Sequence, residues 1–318
     1  MHPRKEIFVT GRNYKCNLII DSPCDLPLEL VQQDGVDIIN FTYILDGKSY
    51  PDDFFRSTTP KEFYDAMRNG AMPSTSQVPP AEIEAAFIKA VKSGVPTVYL
   101  SMSSGISSNY SSAASICERV LKDYPDAELY VVDTKQACSP EGVLVLEAIR
   151  QRERGLTAKE MVAWAEEITN FINIQFMVDD LSTLQRGGRI PAGVAVAGTA
   201  LNVKPLLNIA LDGTLGIVGA ARGRKKAIKQ MAGYYEKNRQ PNDSNIVVIG
   251  NADCREDAEK LGKEIQKIDP SVSVIIHNIG MTIGSHVGPG MLAVGFMGND
   301  RRKNLSLADR IARKVKGE

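Results

Sequence analysis

Two stretches of the chain combine short hydroxyl side chains with a backbone setting that could hold an anion. Residues 101–108 read SMSSGISS and run from a predicted strand to a predicted helix start. Free backbone N–H groups and the helix dipole favour negative charge at such a start, and Ser103 and Ser104 would add hydroxyl donors. Residues 73–77 read PSTSQ and bring Thr75 between two predicted helices. Capping of the next helix along the chain is the competing interpretation of both stretches.

Two glycine-rich segments each frame one side chain that could contact a carboxylate. In LQRGGRI, residues 184–190, paired glycines permit a tight turn beside Arg189, which could form a bidentate pair with a carboxylate. In GSHVGPG, residues 284–290, four turn-forming residues surround His286. We expect this histidine to be held in a defined position, where it could donate to a carboxylate or act as a base. A solvated arginine and a structural histidine are the alternatives.

The segment DSPCDL follows a short apolar strand pattern, residues 16–20, near the start of the chain. Asp21 or Asp25 could orient a ligand hydroxyl or His286, or could simply cap the loop at the end of the strand. Cys24 lies in the same segment, but nothing in its surroundings indicates a lowered thiol pKa.

A basic segment at 219–226, GAARGRKK, opens a predicted helix, where the helix dipole opposes positive charge. It could serve an acidic partner or a phosphate through Arg222, Arg224 and Lys225, or it could be a solvated face. The stretch 192–200 consists almost entirely of small residues. It permits either close helix packing or space for a slender apolar ligand.

Strand, loop and helix alternate up to about residue 171, which predicts a parallel sheet with helices on both faces. Hairpins mixed with helices follow. We therefore expect an α/β protein, with a three-layer α/β/α parallel-sheet domain at 15–171 and an α+β domain with a mixed sheet at 172–318. The boundary is approximate, and strands could be exchanged between the domains. Ligands of parallel sheets bind at the carboxyl ends of the strands, where Asp21 and residues 101–108 fall.

Composition narrows the function classes. The 38 basic and 38 acidic residues balance, so no global field favours nucleic acid or a membrane surface. Five cysteines without a CxxC pair, and only three histidines, argue against a zinc site and indicate reduced thiols in a cytoplasm. The first residues have no apolar core typical of a signal peptide, and no apolar run is long enough to span a bilayer. Phosphate-binding loops and dinucleotide fingerprints are missing, so no cofactor is expected.

In their order along the chain, these segments resemble the DegV family, whose better-understood members are the fatty-acid-binding subunits of bacterial fatty acid kinase. The resemblance runs from about residue 16 to 316 and rests on DSPCDLP, TSQ, SSGISSNYSSA, LQRGGRI, ARGRKKA and IGSHVGPGMLAVGF. Two departures are the VPP that follows TSQ and the extra residues 1–14. Neither touches the segments expected to hold a carboxylate.

The resemblance implies a two-domain carrier that buries one fatty acid, with the acyl chain in the second domain and the carboxylate at the junction. By position, Thr75, Ser103 or Ser104, and His286 would contact the carboxylate, with Arg189 nearby. A separate ATP-dependent kinase subunit would phosphorylate the bound fatty acid, so the carrier itself would not be an enzyme. Two alternatives stay open: an acyl hydrolase with Ser104 as nucleophile and His286 as base, and a regulator that binds a small metabolite.

Overall fold

The computed structural model describes residues 14–191, 193, 202–240 and 244–304. The sequence pattern also predicts a helix over 192–203, rich in small residues, and an amphipathic helix over about 307–315. The first falls almost entirely outside the described residues, and the second falls wholly outside them. The strands are β1 (Asn17–Asp21), β2 (Val36–Ile39), β3 (Thr42–Leu45), β4 (Lys48–Pro51), β5 (Ser74–Ser76), β6 (Thr97–Ser101), β7 (Leu129–Asp133), β8 (Ile172–Met177), β9 (Val203–Ile209), β10 (Leu215–Arg222), β11 (Ile246–Asn251), β12 (Ser273–Asn278) and β13 (Leu292–Met297). The helices are α1 (Leu28–Val31), α2 (Pro60–Arg68), α3 (Pro80–Lys92), α4 (Asn109–Asp123), α5 (Cys138–Glu153), α6 (Ala158–Ile168), α7 (Ser182–Arg186), α8 (Arg224–Asn238), α9 (Arg255–Ile268) and α10 (Met281–Val287).

The first sheet is parallel throughout, with strand order β2-β1-β6-β7. Side chains alternate between its two faces: Ile19 and Tyr99 pack in the core on the side of α3 and α4, whereas Leu18 and Ile20 pack against α5 and α6. Helices therefore cover both faces, as the alternating strand and helix patterns predict.

The second sheet has six strands in the order β10-β9-β8-β13-β11-β12, antiparallel except for the β11–β12 pair. Helix α5 packs against β8, β11 and β13 of this sheet as well as against β1 of the first. It is buried on nearly all sides, which is typical of a helix between two layers. Its start lies directly against β13, because a Cβ on Gly295 would come within 2.7 Å of the Pro140 nitrogen.

A third, small antiparallel sheet has the order β4-β3-β5. The β3–β4 hairpin turns at Asp46 and Gly47, both with positive φ, as the Asp-Gly pair predicts. The apolar pattern over 36–45 predicts one continuous strand, but the structure divides it between two sheets: β2 ends at Ile39 and β3 begins at Thr42. The segment around Thr75, predicted as a loop, pairs with β3 as strand β5.

The fold class is thus confirmed: a parallel sheet with helices, and a mixed second sheet. The segment around His286 differs from the prediction of consecutive turns. Residues 281–287 form helix α10, and only Gly288 and Gly290 beyond its end have positive φ. Across the part of the chain that the structure describes, no helix has the length and apolar character needed to cross a membrane.

Candidate functional site

An apolar cavity lies within the hydrophobic core that joins the three sheets. The free space in it, with the solvent-filled space at its open mouth included, is about 870 Å³. Its apolar lining comes from every layer of the fold: Phe41, Met102, Ile106, Ala137, Cys138, Ile174, Phe176, Leu184, Ile209, Leu215, Ile283, Val287 and Met291. Its polar lining is Thr75, Ser76, Gln77, Ser107, Ser108, Arg189, Thr282 and His286.

Thr75 and His286 meet at the cavity wall although 211 positions separate them in the sequence. The Thr75 Oγ1 atom lies 2.7 Å from the His286 Nε2 atom, a hydrogen bond whose direction depends on the histidine tautomer. Strand β5 positions the threonine and helix α10 positions the histidine. Both atoms are hydrogen-bonding groups beside a mostly apolar space, which suits one polar group on an apolar ligand.

The ring of His286 is held closely on its other side. A Cβ on Gly187 would lie 2.3 Å from the His286 Nδ1 atom, so only glycine lets the ring sit this near the end of α7. The Nδ1 atom is buried and has no hydrogen-bond partner among the described residues. Burial, together with the positive charges of Arg189 and Arg186, lowers the pKa of His286 to about 4. The imidazole is therefore neutral at pH 7.

Arg189 lines the same cavity and is partly buried. Its Nε atom donates to the carbonyl oxygen of Ile106 at 3.0 Å, and its Nη1 atom donates to that of Gly187. No carboxylate neutralises it among the described contacts, and burial lowers its pKa from the usual value. A partly buried guanidinium without a counter-ion in the described part of the chain gives this wall of the cavity a positive field.

Ser103 and Ser104 lie near the cavity but are not among its lining residues. Ser103 is fully buried, and its Oγ atom donates to the carbonyl oxygen of Gly213 at 2.8 Å in the turn between β9 and β10. The Ser104 Oγ atom accepts a hydrogen bond from Lys135 at 3.2 Å. Both hydroxyls therefore already have protein partners, and their predicted contact with a carboxylate stays a prediction. Ser107 and Ser108 of the same loop do line the cavity.

The two aspartates of the DSPCDL segment are buried, and the hydrogen bonds described for them go to residues other than His286. Asp21 accepts hydrogen bonds from Tyr99 and from the backbone nitrogen of Met102, a cavity residue. Burial raises the pKa of Asp21 to about 7. Asp25 accepts from the backbone nitrogen of Gly280, where helix α10 begins. Both residues thus fix backbone segments that border the cavity.

In the basic segment at 219–226, Arg222 and Lys225 differ from Arg224, which forms ion pairs with other parts of the protein. Arg222 and Lys225 are both exposed. Arg224 instead forms ion pairs with Asp179 and Asp257 and donates to the carbonyl oxygen of Gly290 at 2.8 Å. It therefore connects three chain segments and is the least available of the three to a partner.

Sequence reasoning missed most of the apolar wall and part of its polar rim. Phe41, Ile174 and Phe176 lie in or beside strands, and neither their type nor their spacing distinguishes cavity walls from solid core. Gln77, the last residue of the TSQ motif, donates to Ser108 and lines the cavity. The only sequence signal for the contact between Gln77 and Ser108 is the order of their motifs, TSQ followed by a serine-rich segment.

The architecture defines an α/β protein with a mostly apolar cavity in the core where its sheets meet. Solved structures with this architecture include a DegV lipid-binding protein from Thermotoga maritima, with TM-score 0.77, 27% identity and coverage of 90% of this chain and 99% of that one. A stearic acid-binding protein from Eubacterium ventriosum gives TM-score 0.77 and 27% identity, covering 92% of this chain and 100% of that one.

Sequence comparisons indicate the same family as these solved structures. The family model of the DegV proteins, described as uncharacterised, matches residues 15–299. A DegV domain-containing protein of Clostridium perfringens is 37% identical over 284 residues, which cover 89% of this chain and 98% of that protein. This chain belongs to the DegV family.

Proposed function

We propose that this protein binds one long-chain fatty acid, with the acyl chain in the cavity and the carboxylate at Thr75 and His286. Arg189 contributes positive potential at the same end. The observation that carries the proposal is the Thr75–His286 hydrogen bond in the wall of a cavity that is otherwise mostly apolar. Related proteins of the same fold that are described as lipid-binding or stearic acid-binding support it.

The energetics favour a ligand of this shape. Burying a sixteen-carbon chain contributes on the order of 10 kcal/mol, at about 0.8 kcal/mol per methylene group. An ionised carboxylate would oppose burial unless it is paired and hydrogen-bonded. A hydroxyl, an imidazole and a nearby guanidinium meet that need without a net negative charge at the site. After the cost of ordering the ligand, submicromolar affinity is expected.

The second part of the proposal concerns the use made of the bound fatty acid. The protein acts as a carrier that presents the carboxylate to a separate ATP-dependent kinase, which forms the acyl phosphate. Because that reaction uses ATP, we place the carrier in the cytoplasm. Arg222 and Lys225 are candidates for docking an acidic partner or the phosphate. The hydrolase alternative has less support, because Ser104 bonds to Lys135 and no acid partners His286 Nδ1 among the described residues.

Native mass spectrometry of freshly purified protein tests the binding step. We expect a mass increment that matches one fatty acid, is lost on delipidation, and returns when hexadecanoic acid is added. The double variant Thr75→Val and His286→Ala is the matched comparison and should retain far less ligand while keeping the same circular dichroism spectrum. Absence of any lipid, with no response to added fatty acid, would refute the proposal.

The carrier step needs its own measurement. Delipidated protein, a fatty acid and an ATP-dependent fatty acid kinase from the same cell should together consume ATP and form acyl phosphate. Omission of the carrier should abolish the reaction. Substituting Arg222 and Lys225 by Glu should weaken the coupling without changing fatty acid affinity. Equal ATP turnover with and without the carrier would separate fatty acid binding from any kinase role.

A further inference from the structure

We propose that Asp25 and Asp52 are positioning residues of the fatty acid site, which hold the first turn of α10 so that His286 meets Thr75. The inference rests on the proposed function, since it concerns how the carboxylate end of that site is built. Neither aspartate lines the cavity, and both act through the helix that carries the histidine.

Helix α10 begins without a cap of its own. Its N-cap residue is Gly280, which has no side chain to accept the free N–H groups of the first turn. Two distant carboxyl groups take this role: Asp25 Oδ1 accepts from the Gly280 nitrogen at 2.8 Å, and Asp52 Oδ2 accepts from the Thr282 nitrogen at 2.9 Å. Asp25 is 4% exposed and Asp52 is 2% exposed, so little water competes for these bonds.

The two carboxyl groups converge on one point of the backbone. A Cβ on Gly280 would lie 2.7 Å from Asp25 Oδ1 and 3.0 Å from Asp52 Oδ1. A third contact fixes the helix from the side, because the Tyr64 hydroxyl donates to the Ile279 carbonyl oxygen at 2.7 Å and fits against Gly284. The start of α10 therefore has little room to shift along or across its axis.

The position of the helix start decides the geometry at the cavity. Helix α10 is two turns long and contributes Thr282, Ile283, His286 and Val287 to the lining. A tilt at residue 280 moves the His286 ring away from Thr75, whose contact distance is only 2.7 Å. Because hydrogen bonds weaken steeply with distance and angle, a small displacement is enough to lose this pair.

The segments that carry Asp25 and Asp52 also hold Phe41, a second residue of the cavity wall. The Asp52 nitrogen donates to the Phe41 carbonyl oxygen at 2.7 Å, and the Phe41 nitrogen donates to Ser22 Oγ at 3.0 Å. Phe41 lines the cavity. Burial, and then the nearby charge of Asp52, raise the pKa of Asp25 well above its usual value. Since even a neutral carboxyl group accepts from an N–H group, Asn should replace either residue better than Ala does.

The experiment compares hexadecanoic acid with 1-hexadecanol, which share the acyl chain and differ in the head group. In Asp25→Ala and Asp52→Ala, affinity for the acid should fall about tenfold, whereas affinity for the alcohol should change by less than about twofold. The Asn variants should recover most of the loss. Asp53→Ala is the matched control, since Asp53 is also buried but accepts hydrogen bonds only within its own loop among the described contacts.

A spectroscopic measurement separates positioning from general destabilisation. The chain has three histidines, so the His286 ring signals can be assigned in NMR spectra with a His286→Gln variant. They should shift in both Ala variants and remain in place in Asp53→Ala. Gly280→Ala provides a second, milder test, since its methyl group displaces the helix start without removing a polar group. It should lower the acid-to-alcohol affinity ratio in the same direction.

An unchanged affinity ratio and unchanged His286 signals in the folded Ala variants and in Gly280→Ala would overturn the positioning role. If the unmodified protein binds neither the acid nor the alcohol, the proposed function itself fails. The two failures are therefore distinguishable.

Discussion

Two polar regions border the same cavity and differ in how their hydrogen bonds are used. At the Thr75–His286 pair, one hydroxyl and one imidazole bond to each other, and the second ring nitrogen has no partner among the described residues. In the serine-rich loop at 101–108, Ser103 bonds to Gly213 and Ser104 bonds to Lys135. The first region can redirect its hydrogen bonds to a ligand with little loss, whereas the second must give up protein contacts.

A run of serines at a strand end is therefore not in itself a recognition site. The close approach of Gly105 to the backbone of Gly213 shows that this part of the loop fastens the β9–β10 turn to the first sheet. Its serines then contribute to the fold. The residues available to a ligand come later in the loop, at 107 and 108.

The largest contrast is expected when one residue from each region is removed. His286→Ala should weaken fatty acid binding about 10- to 100-fold, because a hydrogen bond to a charged group contributes about 1.5–3 kcal/mol. Ser104→Ala should change it by less than about threefold. Isothermal titration with delipidated protein measures both. A larger loss in Ser104→Ala than in His286→Ala would reverse the assignment of the two regions.

Ser103→Ala should affect stability instead of binding. It leaves the buried Gly213 carbonyl oxygen without its donor, so the free energy of unfolding should fall by about 1–3 kcal/mol. Urea denaturation of ligand-free protein measures this loss. Ser115→Ala on the exposed side of α4 is the control and should change the free energy by less than about 0.5 kcal/mol. A Ser103→Ala variant of full stability that binds fatty acid weakly would instead indicate a direct ligand contact.

The neutral state of His286 can be read from the pH dependence of stability. Its folded-state pKa is lowered to about 4, below the value of about 6.5 in an unfolded chain. Between these values the unfolded chain binds a proton that the folded chain does not, so stability decreases as the pH falls. Relative to His286→Gln, the ligand-free protein should lose about 2 kcal/mol between pH 7 and pH 5. Parallel pH profiles for the two proteins would contradict a buried neutral histidine.

The smallest effect is expected from a substitution at Gly187, which packs closely against the His286 ring. Gly187→Ala introduces a Cβ that would lie 2.3 Å from His286 Nδ1, so the ring must shift and fatty acid affinity should fall about fivefold. Gly219→Ala is the control, because a Cβ at this position would have no other atom within 4 Å and the φ of Gly219 is not positive. Equal affinities for both variants would mean that the histidine tolerates displacement.

Much of the fold could be predicted from local sequence signals. The capping box at Thr59 and Glu62 gives the start of α2, and the Asp46-Gly47 pair gives the β3–β4 turn. Local patterns do not predict strand β13, and they predict a loop where β5 lies. Polar Ser74–Ser76 becomes a strand only because β3 is available to pair with it. Such pairing is decided by tertiary contacts, which no local pattern records.

The site shows the same division. Thr75, Arg189 and His286 could be nominated from residue type and motif order, and all three line the cavity. Sequence could not reveal that Ser103 is committed to Gly213, since that bond spans 110 positions. It also gave no sign of Asp52, whose role depends on reaching Thr282 across 230 positions.

The capping of α10 by distant aspartates affects when, during folding, the histidine end of the cavity can form. Its caps come from residues 255 and 230 positions earlier in the chain, so local sequence cannot complete this helix during synthesis. Contacts of such separation form late, after the loops between them have closed. The histidine end of the cavity should therefore be among the last parts to mature. A chain that stops before residue 280 would have Thr75, Arg189 and most of the apolar lining, but it would lack His286 and so half of the pair that contacts the acid head group.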